Sequence, residues 1–163
     1  MPPSVRGIIR PVLADLELRS ATEADVPAIA AMQRASLVET YEPFLGRAAV
    51  EEFVAGGNVE RYFEEHWQHA TIAVADEDVV GVAVLVGTLL DLLWVRPESR
   101  SQGVGSALMD ALESEGEVLT LEVWAVNRRA VTFYERRGFV VSGTVEDPGT
   151  GLDKLVMLKA LAR

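Results

Sequence analysis

The chain contains no cysteine, and that absence closes several routes at once. No disulfide can staple it, no thiolate can hold a metal, and no acyl-cysteine intermediate can form on it. Positive charge is scarce: 15 lysines and arginines stand against 25 aspartates and glutamates, a formal charge of −10. This balance argues against nucleic acid, whose phosphates require a basic face. It serves solubility first and favours a cationic partner such as an amine second. No apolar run approaches the ~20 residues of a membrane span, and the longest, 79–86 and 89–95, are strand-sized and interrupted. Residues 1–14 carry Arg6 and Arg10 but no long apolar centre and no small-residue cleavage site. They are expected to form a loose arm, and the protein to be cytoplasmic. Repeats and low-complexity tracts are also missing. A length of 163 residues fits one domain over 1–163 with a core that needs no staples.

What is present reads as alternating strands and helices. Residues 16–19 form a short strand, and Thr22-x-x-Asp25 is close to a capping box that opens a helix. Val26, Ile29, Ala30, Met32 and Leu37 give that helix its apolar face, and Pro27 falls in its first turns, where a missing N–H matters least. From Val38 to Gln68 the pattern predicts one or two further helices, broken near Pro43 and at Gly56-Gly57-Asn58. Residues 71–75 and 79–86 make a hairpin around Asp76-Glu77-Asp78. Later come a strand at 89–95, a helix to about 115, a strand at 118–124 and a helix after Asn127. Residues 139–144 and 152–161 close the sheet as an antiparallel pair. The fold class is therefore α/β, one domain with a mixed sheet.

The most informative junction lies between the strand at 89–95 and the helix carrying Val104, Leu108, Ala111 and Leu112 on one face. It reads Arg100-Ser101-Gln102-Gly103-Val104-Gly105-Ser106. Two glycines at the start of a helix let bare backbone amides approach an anion at the positive end of the helix dipole. A dinucleotide fingerprint would need a third glycine where Leu108 stands, and a Walker A loop would need a lysine that the turn lacks. Arg100-x-x-Gly103-x-Gly105 instead resembles the pyrophosphate loop of the GNAT acetyltransferases. A second stretch, Asn127-x-x-Ala130-x-x-Phe133-Tyr134-Glu135-x-x-Gly138-Phe139, resembles that family's later motif. Its residues also make independent sense as an N-cap, a helical apolar stripe and a C-terminal glycine stop. The resemblance is good over 79–139 and loose over the first 70 residues.

The resemblance implies the acyl-CoA N-acyltransferase fold, a mainly antiparallel sheet flanked by helices with a splayed central strand pair. It implies acetyl-CoA as the acyl donor, its diphosphate on the 100–106 loop. Its pantetheine arm would enter the splay beside Leu93, Trp94 and Val95, pairing with backbone at Leu93 and Val95. Asn127, a helix cap in its own right, would also hydrogen-bond that arm. Tyr134 is the candidate acid for the departing thiolate, a phenol near pKa ~10 being a suitable donor in a dry cleft.

An alkyl amine with pKa ~10.4 is neutral about once in 2,500 molecules at pH 7, a handicap of ~4.6 kcal/mol. A carboxylate base would lessen it. Glu122 alternates with Thr120 and Trp124, opposite Leu119, Leu121 and Val123. Leu121-Glu122-Val123 followed by Asn127 is similar to the ribosomal-protein N-terminal acetyltransferases, in which a glutamate here is the proposed base. Asp91, inside the neighbouring strand, is the rival. His66-x-x-His69 has no identifiable third ligand, so no metal is expected. Arg128-Arg129 and Arg136-Arg137 are assigned to the solvated face of their helix, with one of them a candidate for the adenosine 3′-phosphate. Glu39-Thr40-Tyr41 falls where the family's variable helices meet the acceptor.

With no cysteine and no Gly-x-Ser-x-Gly, direct transfer in a ternary complex is expected. The acceptor is expected to be a small-molecule or peptide amine, with no nucleic acid and no membrane as partner. The resemblance leaves a homodimer open. The competing reading is a module that binds acyl-CoA without turnover. An ATP-binding role is poorly supported, since no Mg²⁺-coordinating set follows the loop.

Overall fold

The computed structural model describes residues 15–114 and 116–161. The arm expected over 1–14 lies outside them. The elements run β1 (Glu17–Ser20), α1 (Val26–Leu45), α2 (Arg47–Ala55), α3 (Asn58–His66), β2 (Ala70–Ala75), β3 (Asp78–Val86) and β4 (Leu89–Val95). They continue through α4 (Val104–Glu113), β5 (Val118–Trp124), α5 (Arg128–Arg136), β6 (Val140–Glu146) and β7 (Asp153–Ala160). The strands form one open seven-stranded sheet in the order β1-β2-β3-β4-β5-β7-β6. Every neighbouring pair is antiparallel except β4 and β5.

Apolar side chains divide between the two faces of this sheet. Ile29 and Ala30 of α1, Val59 and Phe63 of α3, and Ile72, Val82, Val84 and Trp94 of the strands form one cluster. Leu108, Met109 and Leu112 of α4, Val131 and Tyr134 of α5, and Leu119, Leu121, Val123 and Met157 of the strands form the other. The near-continuous apolar run of β3 follows from this, since Val80 serves one layer and Val82 and Val84 the other. Gly81 lets α4 pack directly on the strand: a β-carbon would lie 3.0 Å from Val104 and 3.1 Å from Leu108, so those side chains would have to give.

Two departures from regular pairing shape the centre. Val84 faces Leu92 and Leu85 faces Leu90, so Asp91 is the extra, bulged residue of β4. The parallel ladder between β4 and β5 then holds only two rungs, Leu89–Thr120 and Leu90–Leu121. Beyond them the strands part, which is the expected splay.

The helical region differs in detail from the expectation. Helix α1 continues through Pro43 and ends at Leu45, and the chain turns at Gly46, with φ +82°. A proline this close to the end removes a single amide bond, whereas the left-handed turn needs glycine. The Thr22–Asp25 box is present, with the Thr22 amide donating to Asp25 Oδ2 at 2.7 Å, but it first opens a 3-10 turn over Glu23–Asp25. The second break falls at Gly56-Gly57 as anticipated, with Gly57 at φ +71°.

Candidate active site

The loop after β4 is built to expose amides. Ser101 and Gly103 take φ values of +62° and +85°, and Gly103 caps α4. The first intrahelical bond runs from the Ala107 amide to the Gly103 carbonyl. The amides of residues 104–106 therefore point past the helix end, at the positive pole of a ten-residue helix. Val104 is fully buried and pins that end to the core. At Gly105 an added β-carbon would sit 3.4 Å from Phe133, so α4 and α5 approach closely here.

On the other side of the opening, the Asn127 side chain accepts from the Ala130 amide at 3.3 Å and starts α5. Gly138, at φ +94°, ends that segment as the sequence predicts. Between the loop, the fork and α5 lies a cavity of about 800 Å³. Leu93, Trp94, Val95, Arg100, Ser101, Gly103, Gly105, Ser106, Asn127 and Tyr134 all line it. The Arg96 amide bonds to Val80 on β3, so by alternation Leu93 and Val95 turn their backbone groups toward the fork.

The other candidates lie elsewhere. Gln102 turns its side chain to the Glu98 carbonyl at 2.9 Å, and Val104 is in the core. Glu122 is exposed on β5, on the face opposite Leu121 and Val123, as alternation predicts. Asp91 is exposed at the bulge and accepts a 2.5 Å hydrogen bond from the Tyr62 hydroxyl. Neither carboxylate lines the cavity.

The cavity walls carry an unexpected charge. Arg128, Arg129 and Arg136 line the cavity beside Arg100, and no aspartate or glutamate does. Three of the four residues expected on a solvated face thus border the opening. The fourth, Arg137, turns away to Asp110 at 2.6 Å and Glu113 at 2.8 Å on α4. Arg100 is itself partly spent on structure: Nε donates to the Val95 carbonyl and Nη2 to Thr40 Oγ1, both at 3.1 Å. Burial, then the neighbouring Arg129, pulls its pKa down.

Tyr134 is 8 % exposed, edge-on to Phe133 at 5.3 Å and Phe139 at 5.5 Å. Burial pushes its pKa well above the ordinary phenol value, so the hydroxyl keeps its proton at neutral pH. Thr40 and Tyr41 also line the cavity, which places part of the 39–41 segment there. His66 and His69 form no metal centre with a third residue: among the described residues no group of three His, Cys, Asp or Glu is arranged to hold a metal. His66 instead has Nδ1 2.7 Å from the Tyr62 carbonyl and stacks on the Tyr62 ring.

The model of the acetyltransferase (GNAT) domain matches residues 17–161. The chain belongs to the GNAT acetyltransferase family. A peptidyl-lysine N-acetyltransferase, YjaB of Salmonella typhimurium, is 38% identical over 76 residues, 46% of the chain and 52% of the relative. The match therefore spans about half the length of that protein. Likeness of structure is broader. Apo YjaB from Escherichia coli superposes with a TM-score of 0.72 at 26% identity, covering 90% of this chain and 99% of that one. A GCN5-related N-acetyltransferase from Rhodopseudomonas palustris gives 0.74 at 27% identity, covering 89% and 95%. No helix among the described residues is long and apolar enough to cross a membrane.

Sequence reasoning missed the arginine wall and the Tyr62–Asp91 bond. The first had a signal: Arg129 and Arg136 share a helix with Asn127 and Tyr134, already assigned to the ligand. The second had none, because 29 residues separate its partners.

Proposed function

We propose that this GNAT domain transfers acetyl from acetyl-CoA directly to a primary amine in a ternary complex, in the cytoplasm. Its acceptor is a small-molecule or peptide amine, and peptide lysine is the class that the name of its relative favours. One observation carries the reading. A chain of formal charge −10 gathers four arginines and no carboxylate around a cavity that begins at a glycine-rich helix N-terminus. Coenzyme A, with a diphosphate and a 3′-phosphate, is a polyanion suited to that wall.

The residues then divide the work. Amides of the 100–106 loop and α4 hold the diphosphate, and Arg129 or Arg136 meets the 3′-phosphate. Backbone groups of Leu93 and Val95 pair with the pantetheine arm, with the Asn127 amide nitrogen free to join while its oxygen caps α5. The amine nitrogen attacks the thioester carbonyl, the C–S bond breaks, and the Tyr134 hydroxyl gives its proton to the leaving thiolate. The place of Tyr134 on the cavity wall supports that role, although burial makes its phenol a weaker acid, so the donation relies on proximity to the thiolate in the closed cleft. Glu122 is the preferred base, directly or through water, because no described residue bonds its carboxylate, whereas Asp91 already accepts a hydrogen bond from Tyr62.

Calorimetry with CoA, followed by thiol release from acetyl-CoA in the presence of a lysine peptide, tests the reading. Binding followed by release is expected. No association with CoA overturns it, and binding without release to any amine supports a non-catalytic acyl-CoA module instead.

A further inference from the structure

The two carboxylates that compete for the base occupy equivalent places on diverging strands. The last rungs between β4 and β5 are Leu89–Thr120 and Leu90–Leu121, so Asp91 and Glu122 are the first residues past the ladder. Both stand on the face that carries α1–α3. Leu121 and Val123 belong to the opposite cluster, which sends Glu122 away from it. Asp91 is reached from α3 by Tyr62. The bulge re-aims Asp91 out of the pleat and toward that helix.

Tyr62 is unusually well braced for a partly exposed residue. Its ring stacks on His66 at 4.3 Å and meets the edge of fully buried Phe63 at 5.1 Å. Its hydroxyl donates to Asp91 Oδ2 at 2.5 Å, and no described residue bonds Oδ1. One carboxylate oxygen is thus fixed from within the fold while the other remains open. A charge-assisted bond of this kind constrains direction as well as distance.

We propose that Tyr62 is a positioning residue, fixing the Asp91 carboxylate at the acceptor side of the fork to hold the ammonium of an alkylamine that has no carboxylate beside it. The proposal rests on the transferase reading above. Asp91 and Glu122 then cease to be rivals: Asp91 orients the amine and Glu122 takes its proton. Two carboxylates where the ladder ends attract a lysine side chain and repel a free α-amino acid, whose own carboxylate would face them.

The test measures affinity of the whole chain, with and without saturating CoA, for an N-acetylated peptide carrying one internal lysine. The same peptide with norleucine, and free leucine, are the controls. Only the lysine peptide is expected to bind. Tyr62→Phe is expected to weaken it about tenfold, the scale of one hydrogen bond to a charged group. Asp91→Asn is expected to weaken it at least as much, and the double variant no more than Asp91→Asn alone. In turnover, Tyr62→Phe raises the KM for the lysine peptide while kcat and the KM for acetyl-CoA hold, a split that general loosening of α3 would not give. Unchanged affinity in Tyr62→Phe, additive losses in the double variant, or equal binding of the norleucine peptide or leucine overturns the proposal. Lysine-specific binding with these losses but no thiol release upholds the amine site and counts against the transferase reading alone.

Discussion

The two faces of the sheet solve opposite problems of charge within one acidic chain. The loop before α4, the start of α5 and the end of α1 border a cavity whose charged lining residues are all arginines. The face under α1–α3 presents Asp91 and Glu122 where β4 and β5 separate. A net charge alone conveys neither. On the proposed reading, the fork would place a polyanion and an ammonium on either side of the reacting carbonyl. Arg137 shows how the separation is kept clean: it is drawn to Asp110 and Glu113 and so adds nothing to the cavity wall.

The largest expected effect probes the junction of the two faces. Tyr134→Phe should lower kcat by about 10²–10³-fold, the usual range for loss of a general acid. Affinity for acetyl-CoA should stay within about twofold, because the ring and its packing remain. An unchanged kcat would remove the acid assignment.

Glu122→Gln, on the acidic face, should cost roughly 10²-fold in rate. The deficit should widen below neutral pH, where free amine becomes scarcest, and CoA affinity should not move. A loss that is flat with pH would assign the base elsewhere.

Reversing charge on the basic face, with Arg129→Glu and Arg136→Glu together, should raise the Kd for CoA about thirtyfold, or ~2 kcal/mol. That loss should shrink as salt is added, because exposed charges are screened. It should also shrink for CoA lacking its 3′-phosphate. Equal losses for both forms of CoA would move the 3′-phosphate to another part of the wall.

The smallest effect is a control far from the fork. Asp25 accepts from the Thr22 amide and pairs with Arg19 at 2.8 Å, and that pairing holds its carboxyl well below the ordinary aspartate range. Asp25→Asn should lower stability by about 1 kcal/mol at pH 7, given the exposure of the pair. Because the folded pKa is depressed, this contribution is complete above the unfolded value near ~3.9, starts to fade below it, and is gone only once pH has fallen through the depressed folded value. Thermal melts of both proteins should therefore converge in acid. kcat should not change at any pH.

Legibility followed the range of the interactions involved. The loop, the Asn127 cap and the Gly138 stop were readable because each is decided within a few residues. The α/β class and the two antiparallel pairs were readable from the order of elements, and the bulge and splay only through family resemblance, since nothing local in Leu89–Val95 announces a register shift at Asp91. The end of α1 was misplaced at Pro43 because a left-handed turn at Gly46 outweighed the more conspicuous proline. Tyr62 was invisible for a different reason. Its partner is chosen by how α3 docks on β4, and helix periodicity carries no information about which strand residue will lie beneath.

The fork has a mechanical consequence. With two rungs joining β4 to β5, the sheet is close to two separate sheets, β1–β4 and β5–β7, meeting at a narrow seam. An acyl donor lying along that seam would lend its own amides as missing rungs and splice the halves together. Amide hydrogens of Leu93 and Val95 should then exchange quickly in the empty protein and slow on loading, while those deep in β3 barely respond.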